Sequence, residues 1–106
     1  MSFLNFFRGP DINQGIKEYE STPGALLLDV RTSGEYREGH MPGSINISLQ
    51  DIDKIASVVD DKNTPIFVYC YSGSRSRQAA GFLGRMGYTK VKDLGGIAAW
   101  KGKVEG

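Results

Sequence analysis

A chain of 106 residues fits one domain at roughly 100 to 200 residues each, and residues 1–106 are expected to form a single unit. Apolar residues make up 40% and charged residues 24%, enough to bury a core and outside the composition of intrinsic disorder. Thirteen Lys and Arg against twelve Asp and Glu leave a net charge of +1, so no global field gathers a polyanion such as nucleic acid, and any anion selectivity has to be local.

The opening segment, Met1 to Phe7, has no cationic start and no small-residue cleavage pattern, so a signal peptide is not expected. The aromatics Phe3, Phe6 and Phe7 are read as cover for a core before a membrane or partner face, the commoner role of aromatics near a terminus, and apolar runs fall far short of the roughly 20 residues of a membrane span. Asp11 to Tyr19 then opens on a capping residue and spaces Ile12, Ile16 and Tyr19 for a helix that stops before Ser21-Thr22-Pro23-Gly24. Ala25 to Val30 is a continuous apolar run broken only by Asp29, the pattern of a central strand covered on both faces.

Thr32 to Glu38 reads as a short polar helix opened by Thr32 or Ser33, and Ser44 to Ile47 as a brief strand. Leu49, Ile52, Ile55, Ala56 and Val59 recur at helical intervals. Pro65 to Tyr69 is a second buried strand, and Arg75 to Met86 a helix with Ala79, Ala80, Phe82, Leu83 and Met86 turned inward. Val91 to Leu94 gives a last short strand, Gly95-Gly96 a turn, and Ile97 to Lys101 a helical turn bearing Trp100. Alternating strands and helices predict an α/β fold with a small central parallel sheet and helices on both faces.

Ligands in such sheets gather at the carboxyl ends of strands, and Cys70 falls at one. It is the single cysteine, which excludes an intrachain disulfide and a Cys-x-x-Cys pair. With no export signal expected, a reducing cytoplasm is the predicted location. In the loop Cys70-Tyr71-Ser72-Gly73-Ser74-Arg75-Ser76, Gly73 permits a turn that aims backbone N–H groups at one centre. The next helix adds its positive end, and Arg75 a permanent cation. These surroundings favour a thiolate. A lone cysteine is more often a small core residue, but a core position asks for neither the glycine nor the arginine.

The chain resembles the rhodanese family in its small single-domain sulfurtransferase form. The resemblance rests on the cysteine loop, on Asp29-Val30-Arg31, on the stretch from Glu35 to Ile47 with its Gly39-His40-Met41-Pro42-Gly43 turn, and on Leu94 to Trp100. It implies a rhodanese-like fold and a cycle in which Cys70 takes a sulfane sulfur from a donor such as thiosulfate, becomes a persulfide, and passes it to cyanide or a thiol. Tyr71, Ser72, Gly73, Ser74, Arg75 and Ser76 then bind substrate and persulfide, without metal or cofactor. The partners expected are a small-molecule donor and acceptor, with a protein sulfur acceptor as an option, and neither nucleic acid nor membrane.

Asp29 and Arg31 are expected to support the loop from behind as an ion pair or through a hydrogen bond, with Asp29 as a proton donor the alternative. Glu35, four residues after Arg31, is expected to pair with it. His40, the single histidine, is read as structural in its turn rather than as a base for the cysteine, and Trp100 as packing on the sheet edge. Arg75, Arg77 and Arg85 together suggest phosphate binding, but Arg77, two residues from Arg75, falls on another helix face, which argues against a nucleic-acid surface. Two rivals stand beside sulfur transfer. A cysteine-dependent phosphatase or arsenate reductase uses Cys-x5-Arg, where this chain has a shorter Cys-x4-Arg loop, and a binding or sulfur-relay module accepts sulfur only from a protein partner.

Overall fold

In a computed structural model, residues 9–106 are described; Phe3, Phe6 and Phe7 lie outside them. Four parallel strands form one sheet in the order β2-β1-β3-β4, with β1 at Leu26–Asp29, β2 at Ile45–Asn46, β3 at Ile66–Cys70 and β4 at Val91–Gly96. Every residue of β3 is buried, as its unbroken apolar run requires when both sheet faces are covered.

One face carries α3, Ser74–Arg85, and a 3-10 helix, Leu49–Ser57, over Leu28, Val30, Ile66, Val68 and Cys70. The other carries α1, Ile12–Glu20, over Leu27, Phe67, Tyr69 and Leu94. Asp11 caps α1 by accepting the Asn13 N–H at 3.0 Å, which satisfies one of the first-turn donors. A third helix, α2, spans Ser33–Glu38 and is opened by a capping box: Thr32 Oγ1 accepts from Glu35 N while Glu35 Oε1 accepts from Thr32 N.

Four local expectations are corrected. The segment after Ser48 is 3-10 with a kink at Asp51. With three residues per turn, Leu49, Ile52 and Ile55 share the inner face and Ala56 is exposed. On α3 the buried line runs through Ser76, Ala79 and Leu83; Phe82 lies off that line, exposed, under the Arg85 guanidinium at 4.7 Å. Gly95 and Gly96 belong to β4 instead of a turn after it. The pairing with β3 shifts between Val68 and Tyr69, which sit opposite Asp93 and Gly95, so a bulge carries the strand on to its glycines. The final helical turn is a 3-10 turn at Ile97–Ala99.

Trp100 packs partly buried against the α1 side of the core and donates its indole N–H to Lys103 O at 2.9 Å. Among the described residues no helix is long and apolar enough to cross a membrane. The α3 burial pattern gives a direct check by urea denaturation. Leu83→Ala is expected to cost about 2 to 5 kcal/mol as a core truncation, and Phe82→Ala about 0.5 kcal/mol or less as a surface change.

Candidate active site

Cys70 is the last residue of β3 and is fully buried. The loop that follows folds back over its sulfur. Gly73 takes a φ of +105°, a left-handed conformation that favours glycine, and its N–H donates to Cys70 Sγ at 2.9 Å. Gly73 is also the N-cap of α3 and offers no side-chain cap to its first-turn amides. On the helix side, Ser76 Oγ stands 3.6 Å from Sγ as acceptor of the thiol hydrogen.

The loop rests on the end of β4. Tyr71 O accepts from Ala98 N at 3.0 Å. A Cβ on Gly96 would stand 2.1 Å from that same Tyr71 oxygen and 2.7 Å from Ser72 Cα, a separation no side chain tolerates. Above this contact the Tyr71 ring is exposed, as are Ser72 and Ser74. A shallow hollow to one side of the ring is lined by Arg31, Glu35, Glu38, Gly39 and Tyr71.

Arg75 does not stand free at the start of α3. Its Nη1 and Nη2 donate to the two oxygens of Glu35 at 2.7 and 3.0 Å, a bidentate pair that leaves only the rest of the fork for another anion. The Arg75 hydrogen bonds, with the Thr32 cap adding to them against the cost of burial, hold the Glu35 carboxyl at about 2 where 4.5 is usual. The Glu35 hydrogen bonds in turn, followed by weaker contributions that include Cys70, push the Arg75 guanidinium's pKa above its ordinary value.

The expected Arg31–Glu35 pair is therefore corrected. Arg31 precedes the extended N-cap Thr32, so the four-residue spacing does not lie on a helix. Arg31 pairs instead with fully buried Asp29, Nη2 to Oδ2 at 2.7 Å, and donates from Nη2 to Gly39 O at 2.7 Å. The pair ties the end of β1 to the turn after α2. Its guanidinium also lies 5.7 Å from the centre of the Tyr69 ring, whose phenol is pushed above its ordinary range by burial and accepts from Met41 N at 3.0 Å.

His40 stacks on Tyr36 at 3.7 Å, with Nδ1 2.8 Å from Tyr36 O, and bridges to Glu105 through two backbone hydrogen bonds. Its contacts are those of a scaffold. Among the described residues no cluster of His, Cys, Asp and Glu is placed to hold a metal ion.

Two partners escaped the sequence reading. Glu35 reaches Arg75 across 40 positions, and Asp93 reaches Ser76 across 17, with Ser76 Oγ donating to Asp93 Oδ1 at 2.7 Å. A carboxylate two residues before a Gly-Gly pair, at the ligand end of the last strand, was the available signal for the second.

The sheet and the loop define an α/β domain that presents one cysteine at the carboxyl end of a central strand, beneath backbone amides. A family model described as the rhodanese-like domain matches residues 13–103. The thiosulfate sulfurtransferase PspE of Escherichia coli (strain K12) is 44% identical over 71 residues, 66% of this chain and 68% of that protein. The putative sulfur carrier protein YrkF of Bacillus subtilis (strain 168) is 34% identical over 90 residues, and the match spans 84% of this chain but 48% of YrkF. Among solved structures, a rhodanese with anions from E. coli superposes with a TM-score of 0.71 at 40% identity, covering 77% of this chain and 99% of that one. The chain belongs to the rhodanese-like domain family.

The Arg75–Glu35 pair gives a prediction with a defined sign. Because the Glu35 carboxyl titrates lower when folded, at about 2 against 4.5, its stabilisation is fully present above the unfolded value and is lost as the pH falls through the folded one. Glu35→Gln is expected to lower stability at neutral pH by about 1 kcal/mol or less, since both partners are part-exposed. The difference between variant and wild type in urea midpoint should shrink as the pH approaches 2.

Proposed function

We propose that this protein is a sulfurtransferase working through a Cys70 persulfide, with thiosulfate as a competent donor and cyanide or a small thiol as acceptor. The observation that carries the reading is the Gly73 N–H aimed at Cys70 Sγ at 2.9 Å from a loop whose next amides open a helix. The rhodanese-like family match and relatives named as sulfurtransferases support it.

The Cys70 thiolate attacks the outer sulfur of thiosulfate. The donor's sulfur–sulfur bond breaks, sulfite leaves with the electron pair, and the sulfane sulfur stays on Sγ as an anionic persulfide. Cyanide or a thiolate then attacks that terminal sulfur. The Sγ–S bond breaks, thiocyanate or a new persulfide departs, and the electron pair returns to Cys70 as thiolate. Electrons balance across the two steps without a redox cofactor.

In this scheme the loop from Tyr71 to Ser76 surrounds the transferred sulfur. Amides at the start of α3 and the dipole behind them stabilise its negative charge. Arg75, partly neutralised by Glu35, adds a charge at the rim and orients an anionic donor with its remaining N–H groups. Asp29 and Arg31 hold the strand end and the turn that frame the hollow beside Tyr71. The 106 residues act as one domain, and a reducing cytoplasm suits an unpaired catalytic thiol.

A relay that receives sulfur from a protein partner is the second reading, favoured by a relative of that kind. YrkF is named a putative sulfur carrier.

Intact mass after brief exposure to thiosulfate decides between the two. The wild type is expected to gain about 32 Da, one sulfur, and to lose it on adding cyanide, whereas Cys70→Ser gains nothing. No gain with thiosulfate, but loading from a protein persulfide, would support the relay. Arg75→Ala is expected to keep the adduct while raising the KM for thiosulfate in steady-state turnover, and an unchanged KM would remove Arg75 from donor binding.

A further inference from the structure

Ser76 sits between the reacting sulfur and a carboxylate from another strand. Its hydroxyl is fully buried at 0% exposure and has three acceptors in reach: Asp93 Oδ1 at 2.7 Å, Gly73 O at 3.1 Å and Gly95 O at 3.4 Å. A hydroxyl has one hydrogen to give and two lone pairs. The shortest contact goes to the carboxylate, where an ionised acceptor makes the stronger bond. Asp93 Oδ1 is itself fixed, because it also accepts the Gly95 N–H at 2.9 Å across the β4 bulge.

With its hydrogen committed to Asp93, Ser76 meets Cys70 Sγ through a lone pair that accepts the thiol hydrogen at 3.6 Å; once the thiolate forms, the contact is one of packing and no longer a hydrogen bond. The sulfur then has two defined contacts, the Ser76 oxygen on the helix side and the Gly73 N–H on the loop side at 2.9 Å. Without Asp93 the hydroxyl is free to turn to Gly73 O or Gly95 O. Its position against the sulfur is then no longer set.

We propose that Asp93 is a positioning residue for sulfur transfer: it orients the Ser76 hydroxyl, and Ser76, packed against Cys70 Sγ, sets the side-chain direction from which the thiolate attacks. The inference rests on Cys70 being the nucleophile of the proposed reaction. The hydrogen bonds of Asp93 Oδ1 go to Ser76 Oγ and Gly95 N–H, so its loss is expected to act on the geometry of attack more than on donor binding. Misplacement of a reacting atom by as little as an ångström costs rate steeply.

The test is steady-state turnover of thiosulfate with cyanide by the full chain. Asp93→Ala is expected to lower kcat by about tenfold with KM for thiosulfate unchanged. Asp93→Asn, which keeps an oxygen for both Ser76 Oγ and Gly95 N, recovers most of that loss. Ser76→Ala matches Asp93→Ala, and the double variant loses no more than either single one, because Asp93 acts through Ser76.

A kcat for Asp93→Ala within about twofold of wild type, a change confined to KM, an Asp93→Asn as slow as Asp93→Ala, or full additivity would each overturn the proposal. Should Asp93→Ala not fold, Ser76→Ala and Asp93→Asn decide: a slow Ser76→Ala beside a fast Asp93→Asn supports the proposal, and any other pattern overturns it. Alkylation of Cys70 by iodoacetamide, followed by intact mass, separates the two levels of inference. A wild type that alkylates but never turns over thiosulfate defeats the sulfurtransferase reading; slower alkylation of Asp93→Ala and Ser76→Ala than of wild type and Asp93→Asn then supports the role of Asp93, and equal rates overturn it.

Discussion

The contact on which the site depends is the one that leaves no room for a side chain at Gly96. Tyr71 O and Ser72 Cα lie 2.1 and 2.7 Å from where a Cβ would be, so the cysteine loop can settle on the sheet only because β4 ends in bare backbone. Gly73 completes the arrangement from above, with its left-handed φ and its own virtual Cβ 3.5 Å from Gly95 Cα. Two backbones pressed together, without side chains between them, hold the loop at the height that turns the Gly73 N–H onto the sulfur. The bulge that shifts β4 against β3 brings those glycines into place.

Around this contact the charged groups are arranged in closed sets. Asp29 with Arg31 secures the end of β1 and the turn at Gly39; Glu35 binds Arg75 and at the same time caps α2 through Thr32. The capping box thus serves two purposes. It starts a six-residue helix that contributes no buried residue, and it presents a carboxylate to the helix that leaves the cysteine loop. No buried side-chain nitrogen or oxygen among the described residues lacks a partner, which is what a site built to keep one geometry requires.

Local signals in the sequence were enough for the alternation of strands and helices, the burial of β3, and the placement of the cysteine at a strand-to-helix junction. Hydrophobic runs and capping residues act over a few positions, and the fold obeys them. Contacts set by tertiary structure were not legible. Phe82 counts as apolar in any periodicity, yet its ring covers surface beneath Arg85. Arg31 and Glu35 have helical spacing, but the helix begins between them. Gly95-Gly96 has the composition of a turn, and only the approach of Tyr71 and Ser72 shows why the strand itself needs glycine there. Glu35 with Arg75 and Ser76 with Asp93 join elements 40 and 17 positions apart, separations at which spacing carries no information.

The complete burial of Cys70 has a bearing on the protein's behaviour in air. A disulfide needs its two Cβ atoms within about 3.5 to 4.5 Å of each other, and two folded copies, each with its sulfur set below its own loop, meet that requirement less readily than one sulfur meets a small donor. With one cysteine per chain there is no internal partner either. Covalent dimerisation of the native protein is thus disfavoured by its shape, without a second thiol, and cross-linked material is expected to be enriched in chains whose loop has come off the sheet.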